Sequence, residues 1–254
     1  MERKINNLLG FSVDSFDFDS ALFFAEELIK SKKGGYIVTI NPEMIEYGLK
    51  SKEYAEILNN ANLILPDGVG IKIGLKIKGV NTKRIAGIEF AHALISECVK
   101  NNLPIGLIGA RPHVITKTIE NLKSEFEKIN IVYSKNGYFQ DEKKVLSELK
   151  VKKPKFVLVA LGFPKQEEFI VKAREFLPEA LMIGIGGSFD VWAGEVKRAP
   201  KVFQKTGLEW LYRTIKEPKR FKRIFPALPR FLFRVLFSKW EMVKDKRNNS
   251  ENRN

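Results

Sequence analysis

The chain has 254 residues, of which 44% are hydrophobic, and this composition excludes a mainly disordered protein. One cysteine and two histidines exclude an internal disulfide framework and a His-rich metal site. Charge is divided unevenly, because residues 1–196 contain 27 basic and 25 acidic residues whereas residues 197–254 contain 17 and 5. We therefore predict a nearly neutral domain, 1–196, a basic appendage, 197–246, and a disordered tail, 247–254.

Short apolar runs alternate with amphipathic segments along the body, which predicts an alternation of strands and helices. The predicted strands are Leu8–Val13, Tyr36–Ile40, Leu63–Leu65, Ile105–Ile108, Ile131–Tyr133, Phe156–Leu161 and Leu181–Ile185. The predicted helices are Ser20–Lys32, Glu43–Asn59 with a break, Val69–Leu75, Ile88–Lys100, Pro112–Lys128, Glu142–Lys150 and Lys165–Phe176. This order favours the α/β class, as a Rossmann-like three-layer α/β/α fold with a mostly parallel sheet and a basic helical C-terminal appendage.

Polar or glycine-containing segments follow five of the predicted strands. They are Thr39 to Asn41, Asp67, Gly109 to Arg111, Gly162 to Gln166, and Gly186 to Asp190. Because the carboxyl ends of parallel strands share one edge of a sheet, we expect these segments to form one cleft. The last segment is predicted to be a polar loop, in which Gly186 and Gly187 let a ligand approach the backbone. Ser188 and Asp190 lie just past this strand end, and an ordinary glycine turn is the alternative.

The residues on two neighbouring segments suit sugar chemistry. Asp67 follows a buried strand, where a carboxylate in a partly dry cleft can accept a proton from an attacking hydroxyl. Thr39 and Asn41 offer neutral hydrogen bonds that suit the hydroxyl and amide groups of a sugar. The alternatives are a turn at the Asp-Gly pair and a helix start at Asn41-Pro42.

The sequence contains patterns that favour anion binding, but its one metal-binding pattern has another explanation. Ile108–Pro112 and Leu161–Glu167 each end a strand with glycine and open a helix near proline, which leaves amides for an anion. The chain lacks GxGxxG and GxxxxGK[ST], so we predict no dinucleotide cofactor and no P-loop. Asp17-Phe-Asp19 resembles the DxD pair that holds a nucleotide diphosphate through a divalent cation. It precedes the first helix, where Asp is a common N-cap, so we predict no metal site.

The basic appendage interleaves cations with large apolar side chains over residues 219–240. We expect Pro226 and Pro229 to break it into short pieces, and no window is apolar enough to span a bilayer. This composition favours a segment that lies on an anionic membrane surface. One alternative is a helical appendage that packs its Phe residues on the body. The other is binding of single-stranded nucleic acid, against which the neutral body argues.

Three arginines of the appendage are spaced for one side of a helix. Arg213, Arg220 and Arg223 fall at i, i+7 and i+10, and Pro218 between them bends such a helix without necessarily ending it. Guanidinium groups bind diphosphates through paired hydrogen bonds. We therefore predict that these arginines contact the diphosphate of a donor or of a lipid carrier.

Several blocks, in one order over roughly residues 5–225, resemble the WecG/TagA/CpsF family of bacterial glycosyltransferases. They are Thr39–Glu43, Pro66–Gly70, Lys83–Gly87, Gly109–Pro112, Gly137–Phe139, Gly162–Glu167, Gly186–Asp190 and Arg198–Pro200. The resemblance implies transfer of N-acetylmannosamine from a UDP donor to N-acetylglucosamine on undecaprenyl diphosphate, a step in making the linkage unit of wall teichoic acid. It also implies inversion without a metal, and a cytoplasmic enzyme bound peripherally at the inner face of the cell membrane.

The resemblance also assigns roles to residues. Asp67 and Thr39 become the candidate catalytic residues, with Asp67 as general base. The candidate substrate-binding residues are Asn41 for the sugar, Arg84 and Gln166 for substrate or diphosphate, Asp190 for uridine, and Gly109, Gly186, Gly187 and Ser188 for framing the nucleotide. A related UDP-sugar transferase with another sugar or acceptor remains an alternative, and the oligomeric state stays open, a homo-oligomer included.

Overall fold

The computed structural model describes residues 3–200, 203, 212 and 218–238, with side chains from residue 225 onward in the last segment. The strands in this part of the chain are β1 (Ile5–Leu8), β2 (Phe11–Asp14), β3 (Gly35–Ile40), β4 (Leu63–Pro66), β5 (Ile105–Gly109), β6 (Ile131–Lys135), β7 (Phe156–Ala160) and β8 (Leu181–Gly184). The helices are α1 (Phe18–Lys30), α2 (Pro42–Gly48), α3 (Lys52–Asn59), α4 (Val69–Ile77), α5 (Gly87–Lys100), α6 (Pro112–Glu125), α7 (Glu142–Lys152), α8 (Lys165–Phe176), α9 (Ser188–Trp192) and α10 (Pro218–Phe237).

A parallel sheet forms the centre of the described domain. Its strand order is β4-β3-β8-β7-β5-β6, and every neighbouring pair is parallel. Successive side chains point to opposite faces, so Tyr36 and Val38 of β3 enter one core while Ile37 enters the other. The first core contains residues of the β1–β2 hairpin, α2, α3, α4, α7, α8 and α10, and the second contains residues of α1, α5, α6 and α9. The predicted three-layer α/β/α fold is confirmed.

The N-terminal segment forms a hairpin, so the single strand predicted at Leu8–Val13 is wrong. β1 and β2 pair antiparallel, and Leu9 and Gly10 between them have φ values of 58° and 89°. Two successive positive φ values are typical of a two-residue hairpin turn, which was missed because Leu is unusual at the first position. The buried Asp14 ties the hairpin to the sheet by accepting a hydrogen bond from the backbone N–H of Ile64 at 2.7 Å.

Two other segments test the predicted boundaries. The break predicted within residues 43–59 is confirmed by the gap between α2 and α3. The loop predicted after Gly187 is wrong, because residues 188–192 form the short helix α9. Phe189 of α9 is fully buried, and Thr118 of α6 donates a hydrogen bond to its carbonyl oxygen at 3.0 Å. Burial of this aromatic side chain explains the helix, because packing outweighs the turn tendency of the preceding glycines.

Helix α10 runs without interruption through Pro226 and Pro229, so the predicted break into short pieces is wrong. Each proline removes one backbone hydrogen bond, and packing compensates for that loss. Phe231 and Val235 of α10 are fully buried against α2 and α4. A Cβ on Gly74 of α4 would lie 2.9 Å from the Phe231 ring, so this glycine leaves room for the helix. None of the helices in the described ranges is both long and apolar enough to cross a membrane.

Candidate active site

The carboxyl ends of β4, β3, β8, β7 and β5 lie side by side at one edge of the sheet, which we call the carboxyl edge. Backbone hydrogen bonds continue between the segments that leave these strands, from Asp67 to Ile40, from Ile185 to Val159 and from Ala110 to Ala160. The five segments predicted from the sequence therefore follow neighbouring strands. In a parallel sheet this is the place where ligands bind.

Asp67 follows β4 directly, and its side chain has two bonded partners. Its Oδ1 accepts hydrogen bonds from the Gly68 backbone N–H at 2.7 Å and from Nε of Arg84 at 3.3 Å. Arg84 reaches it because the N–H of Ile85 donates to the carbonyl of Pro66, which holds the loop before α5 beside β4. The Asp67 side chain is 31% exposed. The carboxylate is thus oriented by its neighbours while a ligand can still reach it.

Thr39 and Asn41 leave the neighbouring strand β3. Thr39 lies against the first residue of α5, since a Cβ on Gly87 would lie 2.8 Å from Thr39 Cγ2. Its hydroxyl donates a long hydrogen bond of 3.4 Å to the carbonyl of Gly184. Asn41 caps α2, because its Oδ1 accepts the Met44 N–H at 3.1 Å. The helix-start interpretation of Asn41 is therefore confirmed, and its contact with a sugar stays a prediction.

A tight turn follows β8. Gly186 has a φ of 49°, and its N–H donates to Oε1 of Gln166 at 3.1 Å. Gly187 is the N-cap of α9, and the hydroxyl of the buried Ser188 donates to the carbonyl of Ile185 at 2.7 Å. The Ser188 hydroxyl therefore stabilises this turn, whereas the two glycines present backbone. Their contacts with a nucleotide, and that of Ser188, remain predictions.

The turns after β5 and β8 are joined by an ion pair. Nη2 of Arg111 lies 3.1 Å from Oδ1 of Asp190, a partner that the sequence did not predict for Asp190. Gly109 ends β5 with a φ of 121°, and a Cβ there would lie 2.3 Å from the carbonyl oxygen of Ala160. Only glycine fits this position without moving β7. The predicted nucleotide-framing residues of β5 and β8 are thus brought together.

Helix N-termini in the described part of the chain fall into two groups, and both groups occur at the carboxyl edge, where Asn41 caps α2. Helices α1, α2, α3 and α7 begin at an Asp, Asn or Ser whose side chain accepts a backbone N–H. The N-caps of α4, α5, α6 and α8 form no side-chain cap bond, and these residues are Gly68, Ala86, Arg111 and Pro164. Amides left unbonded at a helix N-terminus attract anionic groups. At α8 the N–H groups of Gln166 and Glu167 already donate to the carbonyls of Gly162 and Pro164, so the helix ends that can offer amides to an anion at this edge are those of α4, α5 and α6.

Glu167, in the first turn of α8, is a candidate residue that the sequence analysis missed. It is 2% exposed, and it accepts hydrogen bonds from the Tyr54 hydroxyl at 3.0 Å and from Nε2 of Gln166 at 2.6 Å. Burial raises the pKa of Glu167 from 4.5 to about 7. A sequence signal existed, since this charge falls within the buried stripe of α8 that includes Phe169 and Ile170.

Comparison with known proteins adds to this geometry. Residues 6–245 match the model of the glycosyl transferase WecG/TagA/CpsF family. The chain belongs to this family. A WecG/TagA/CpsF relative from Bacillus spizizenii strain W23 is 37% identical over 237 residues, covering 93% of this chain and 91% of the relative. The resemblance predicted from the sequence is confirmed, and so is the enzyme class, a glycosyltransferase.

Two further relatives support the assignment to the WecG/TagA/CpsF family. One from Bacillus subtilis strain 168 is 37% identical over 215 residues, covering 84% of each chain. One from Staphylococcus aureus strain MW2 is 34% identical over 230 residues, covering 88% of this chain and 87% of the relative. All three relatives are named N-acetylglucosaminyldiphosphoundecaprenol N-acetyl-beta-D-mannosaminyltransferase.

Asp17 and Asp19, the acidic pair noted in the sequence, lie at the N-terminus of helix α1. Oδ1 of Asp17 accepts the N–H of Ser20 at 2.8 Å, and Asp19 lies in the first turn of α1. The N-cap interpretation is therefore confirmed. Among the residues that the structure describes, no group of three or more His, Cys, Asp or Glu side chains is arranged to hold a metal ion.

Some predictions for the family's C-terminal segment fall outside the described residues. Arg213 lies outside them, and so do the side chains of Arg220 and Arg223, whose backbones belong to α10. Residues 239–254, which include the predicted disordered tail, also lie outside the described part. The predicted contact of the three arginines with a diphosphate therefore stays a prediction.

Proposed function

We propose that this chain transfers N-acetylmannosamine from UDP to N-acetylglucosamine on undecaprenyl diphosphate, with inversion and without a metal ion. The observation that carries the proposal is the match to relatives whose shared name states the transfer of N-acetylmannosamine to N-acetylglucosaminyldiphosphoundecaprenol; the UDP donor, the inversion and the absence of a metal are further parts of the proposal. The chain covers 84–91% of their lengths. The carboxyl edge supports it, because it combines an oriented carboxylate with glycine turns and positive helix ends. The exact sugar and acceptor belong to the proposal.

Asp67 is the general base of the proposed reaction. A hydroxyl oxygen of the acceptor sugar attacks the anomeric carbon of the donor, and the bond from that carbon to the diphosphate oxygen breaks. The attacking hydroxyl gives its proton to Asp67. Gly68 and Arg84 both bond to Oδ1, so we assign the proton to Oδ2. A carboxylate held in this way is suited to general base catalysis.

The departing UDP is stabilised by groups that follow β5, β7 and β8 in this proposal. The N-terminus of α6 has no side-chain cap, and the cations Arg111 and Lys165 stand at the starts of α6 and α8. Positive helix ends and cations at a leaving diphosphate do the work that a metal does in other transferases. Gly109 and Gly186 let the nucleotide come close to the backbone.

Helix α10 provides a surface that suits a lipid-linked substrate. Phe233, Leu236 and Phe237 are exposed on α10, as are Ile73 and Ile77 on the adjacent α4. We call this group the α4–α10 apolar surface. Its α10 residues belong to the basic appendage, and apolar side chains combined with cations favour an anionic membrane surface. We propose that it rests on the inner face of the membrane. The division into a domain, 1–196, and an appendage, 197–246, is part of this proposal.

Product analysis tests the proposed function. The full chain is incubated with an N-acetylglucosaminyl lipid diphosphate and with UDP-N-acetylmannosamine, UDP-N-acetylglucosamine or UDP-glucose, and the lipid product is analysed by mass spectrometry. We expect one N-acetylhexosamine to be added from the first donor only, and the reaction to survive EDTA. Transfer from another donor instead would correct the sugar. Loss in EDTA that Mn²⁺ or Mg²⁺ restores would contradict the metal-free mechanism.

A further inference from the structure

The side-chain amide of Gln166 is held at both ends inside the protein. Its Oε1 accepts the N–H of Gly186 at 3.1 Å, and its Nε2 donates to Oε1 of Glu167 at 2.6 Å. A backbone N–H can only donate and a carboxylate can only accept, so one orientation of the amide satisfies both partners. Gln166 is 6% exposed. The position of Glu167 therefore determines, through the Gln166 amide, where the acceptor for the Gly186 N–H lies.

Glu167 is itself fixed from the opposite side. The hydroxyl of Tyr54, on α3, donates to Oε2 of Glu167 at 3.0 Å, and both residues are 2% exposed. Glu168 also influences this carboxyl through its charge. When Glu167 is protonated on Oε2 it can donate to the Tyr54 oxygen, because a phenol both donates and accepts. Oε1 then continues to accept from Gln166, so both ionisation states preserve the link.

The link also lies against the last residue of β8. A Cβ on Gly184 would lie 2.7 Å from Nε2 of Gln166 and 3.0 Å from Oε1 of Glu167. The two side chains therefore occupy the space beside Gly184, and no side chain at that position separates them from the strand. Gly186, two residues further on, has a φ of 49° and donates its N–H to the same Gln166 side chain. The chain Tyr54–Glu167–Gln166 thus connects helix α3 with the turn after β8.

We propose that Glu167 is a positioning residue, which acts through Gln166 to hold the Gly186 turn in the conformation that binds the nucleotide of the donor. The proposal rests on the proposed function for the identity of the donor. The position of the turn itself does not depend on that identity. Without Glu167 as an acceptor, the Gln166 amide would lose its defined orientation, and the Gly186 N–H would lose a fixed acceptor.

Two substitutions of Glu167 in the full chain test this role. Glu167→Leu removes the acceptor, and Glu167→Gln keeps an amide oxygen that can accept from Gln166. In Glu167→Leu we expect the Gly186 amide to exchange with deuterium about tenfold faster, and the Kd of UDP and the KM of the donor to rise about tenfold, as for a lost hydrogen bond. The KM of the lipid acceptor should change less than about twofold. In Glu167→Gln all four values should stay near those of the parent.

Tyr54→Phe is the matched control, because it removes the outer bond to Glu167 and leaves the bond to Gln166 in place. We expect it to lower the melting temperature but to leave Gly186 exchange and UDP affinity unchanged. Glu167→Leu leaves the buried Tyr54 hydroxyl without its acceptor, which could prevent folding. In that case the Tyr54→Phe/Glu167→Leu double variant replaces it, because that variant has no buried hydroxyl to leave unpaired. Its measurements are then compared with those of the Tyr54→Phe/Glu167→Gln double variant.

Each outcome decides a separate question. Unchanged Gly186 exchange in the leucine variant overturns the positioning role, whatever the activity. Faster exchange with unchanged UDP affinity overturns it as well, because the turn then does not hold the nucleotide. If the parent transfers no N-acetylmannosamine, the proposed function fails, whereas the exchange and UDP-affinity measurements still judge Glu167.

Discussion

At the scale of single residues, Asp67 is the side chain on which the proposed reaction depends most. We expect Asp67→Asn to preserve UDP binding and to lower turnover on the order of 10²–10⁴-fold, because an amide cannot take the proton from the acceptor hydroxyl. Turnover is measured with saturating donor and acceptor, and UDP binding by calorimetry. Asp17→Asn makes the same chemical change at the α1 N-cap, where Asn is equally suitable, so it should be neutral. Turnover of Asp67→Asn within a few-fold of the parent would remove the base role.

The second prediction concerns Glu167 and the pH dependence of the free energy of unfolding. Burial raises its folded pKa from 4.5 to about 7, so the neutral carboxyl stabilises the fold at low pH. This contribution is present below about pH 4.5 and is lost as the pH rises toward 7. Glu167→Gln cannot ionise. The parent should lose stability between pH 5 and pH 8, whereas the variant should not. The free energy of unfolding of Glu167→Gln minus that of the parent should therefore be roughly 2–3 kcal/mol larger at pH 8 than at pH 5.

Urea unfolding of both proteins at the two pH values measures this difference. Glu175→Gln is the matched control, because Glu175 lies on the same helix and is exposed, so it should give no such gain. A difference between the Glu167→Gln variant and the parent that is the same at both pH values would show that the buried carboxyl does not titrate in this range.

Single residues also show where sequence reasoning reaches its limit. Asp67 could be predicted, because a carboxylate directly after a buried strand must lie at the carboxyl edge. Its contact with Arg84, 17 residues later, depends on how the loop before α5 returns to β4. The bond between Tyr54 and Glu167 joins residues 113 positions apart. Local periodicity carries no information on such pairs, and each residue alone has an ordinary explanation.

At the scale of elements, the packing of α10 on α2 and α4 depends mainly on the Phe231 side chain. Phe231→Ala should weaken this docking by about 3–5 kcal/mol, since it leaves a cavity where a fully buried ring was. Phe233→Ala, on the same helix, should change stability by less than about 0.5 kcal/mol because its ring is 63% exposed. Deuterium exchange of α10 and thermal unfolding measure both. Equal protection of α10 in the two variants would contradict the packing described here.

The elements themselves were predicted to different degrees. Helix α8 was predicted at its observed boundaries, because its buried apolar residues Phe169, Ile170 and Ala173 recur at helical spacing between a proline-containing turn and the end of the segment. The β1–β2 hairpin was missed, since its turn places Leu9 at a positive φ that local rules assign to Gly or Asn. Helix α10 was predicted to break at Pro226 and Pro229. The stabilising contacts of Phe231 and Val235 come from distant parts of the chain and outweigh that local rule.

At the scale of the whole molecule, the two outer layers should behave differently towards a bilayer. Phe233 on α10 and Phe23 on α1 are almost equally exposed, at 63% and 64%, but they lie on opposite sides of the sheet. We expect Phe233→Ala to reduce sedimentation with anionic liposomes and Phe23→Ala to leave it unchanged, because only the first side carries the α4–α10 apolar surface. Equal losses in the two variants would indicate nonspecific adsorption and contradict the proposed orientation on the membrane.

The position of β8 has a consequence for how the protein is made. This strand, the last of the sheet, lies between β3 and β7, and so joins the β3–β4 pair to the β5–β6–β7 group. A growing chain on the ribosome therefore holds two separate halves of the sheet until Leu181–Gly184 has emerged. Gly109, which is predicted to frame the nucleotide, ends β5, and the candidate base Asp67 follows β4, so these two residues lie on opposite sides of β8. A product that ends before β8 therefore lacks the strand that sets the distance between the predicted nucleotide-framing residue and the candidate base, and we expect it to be inactive.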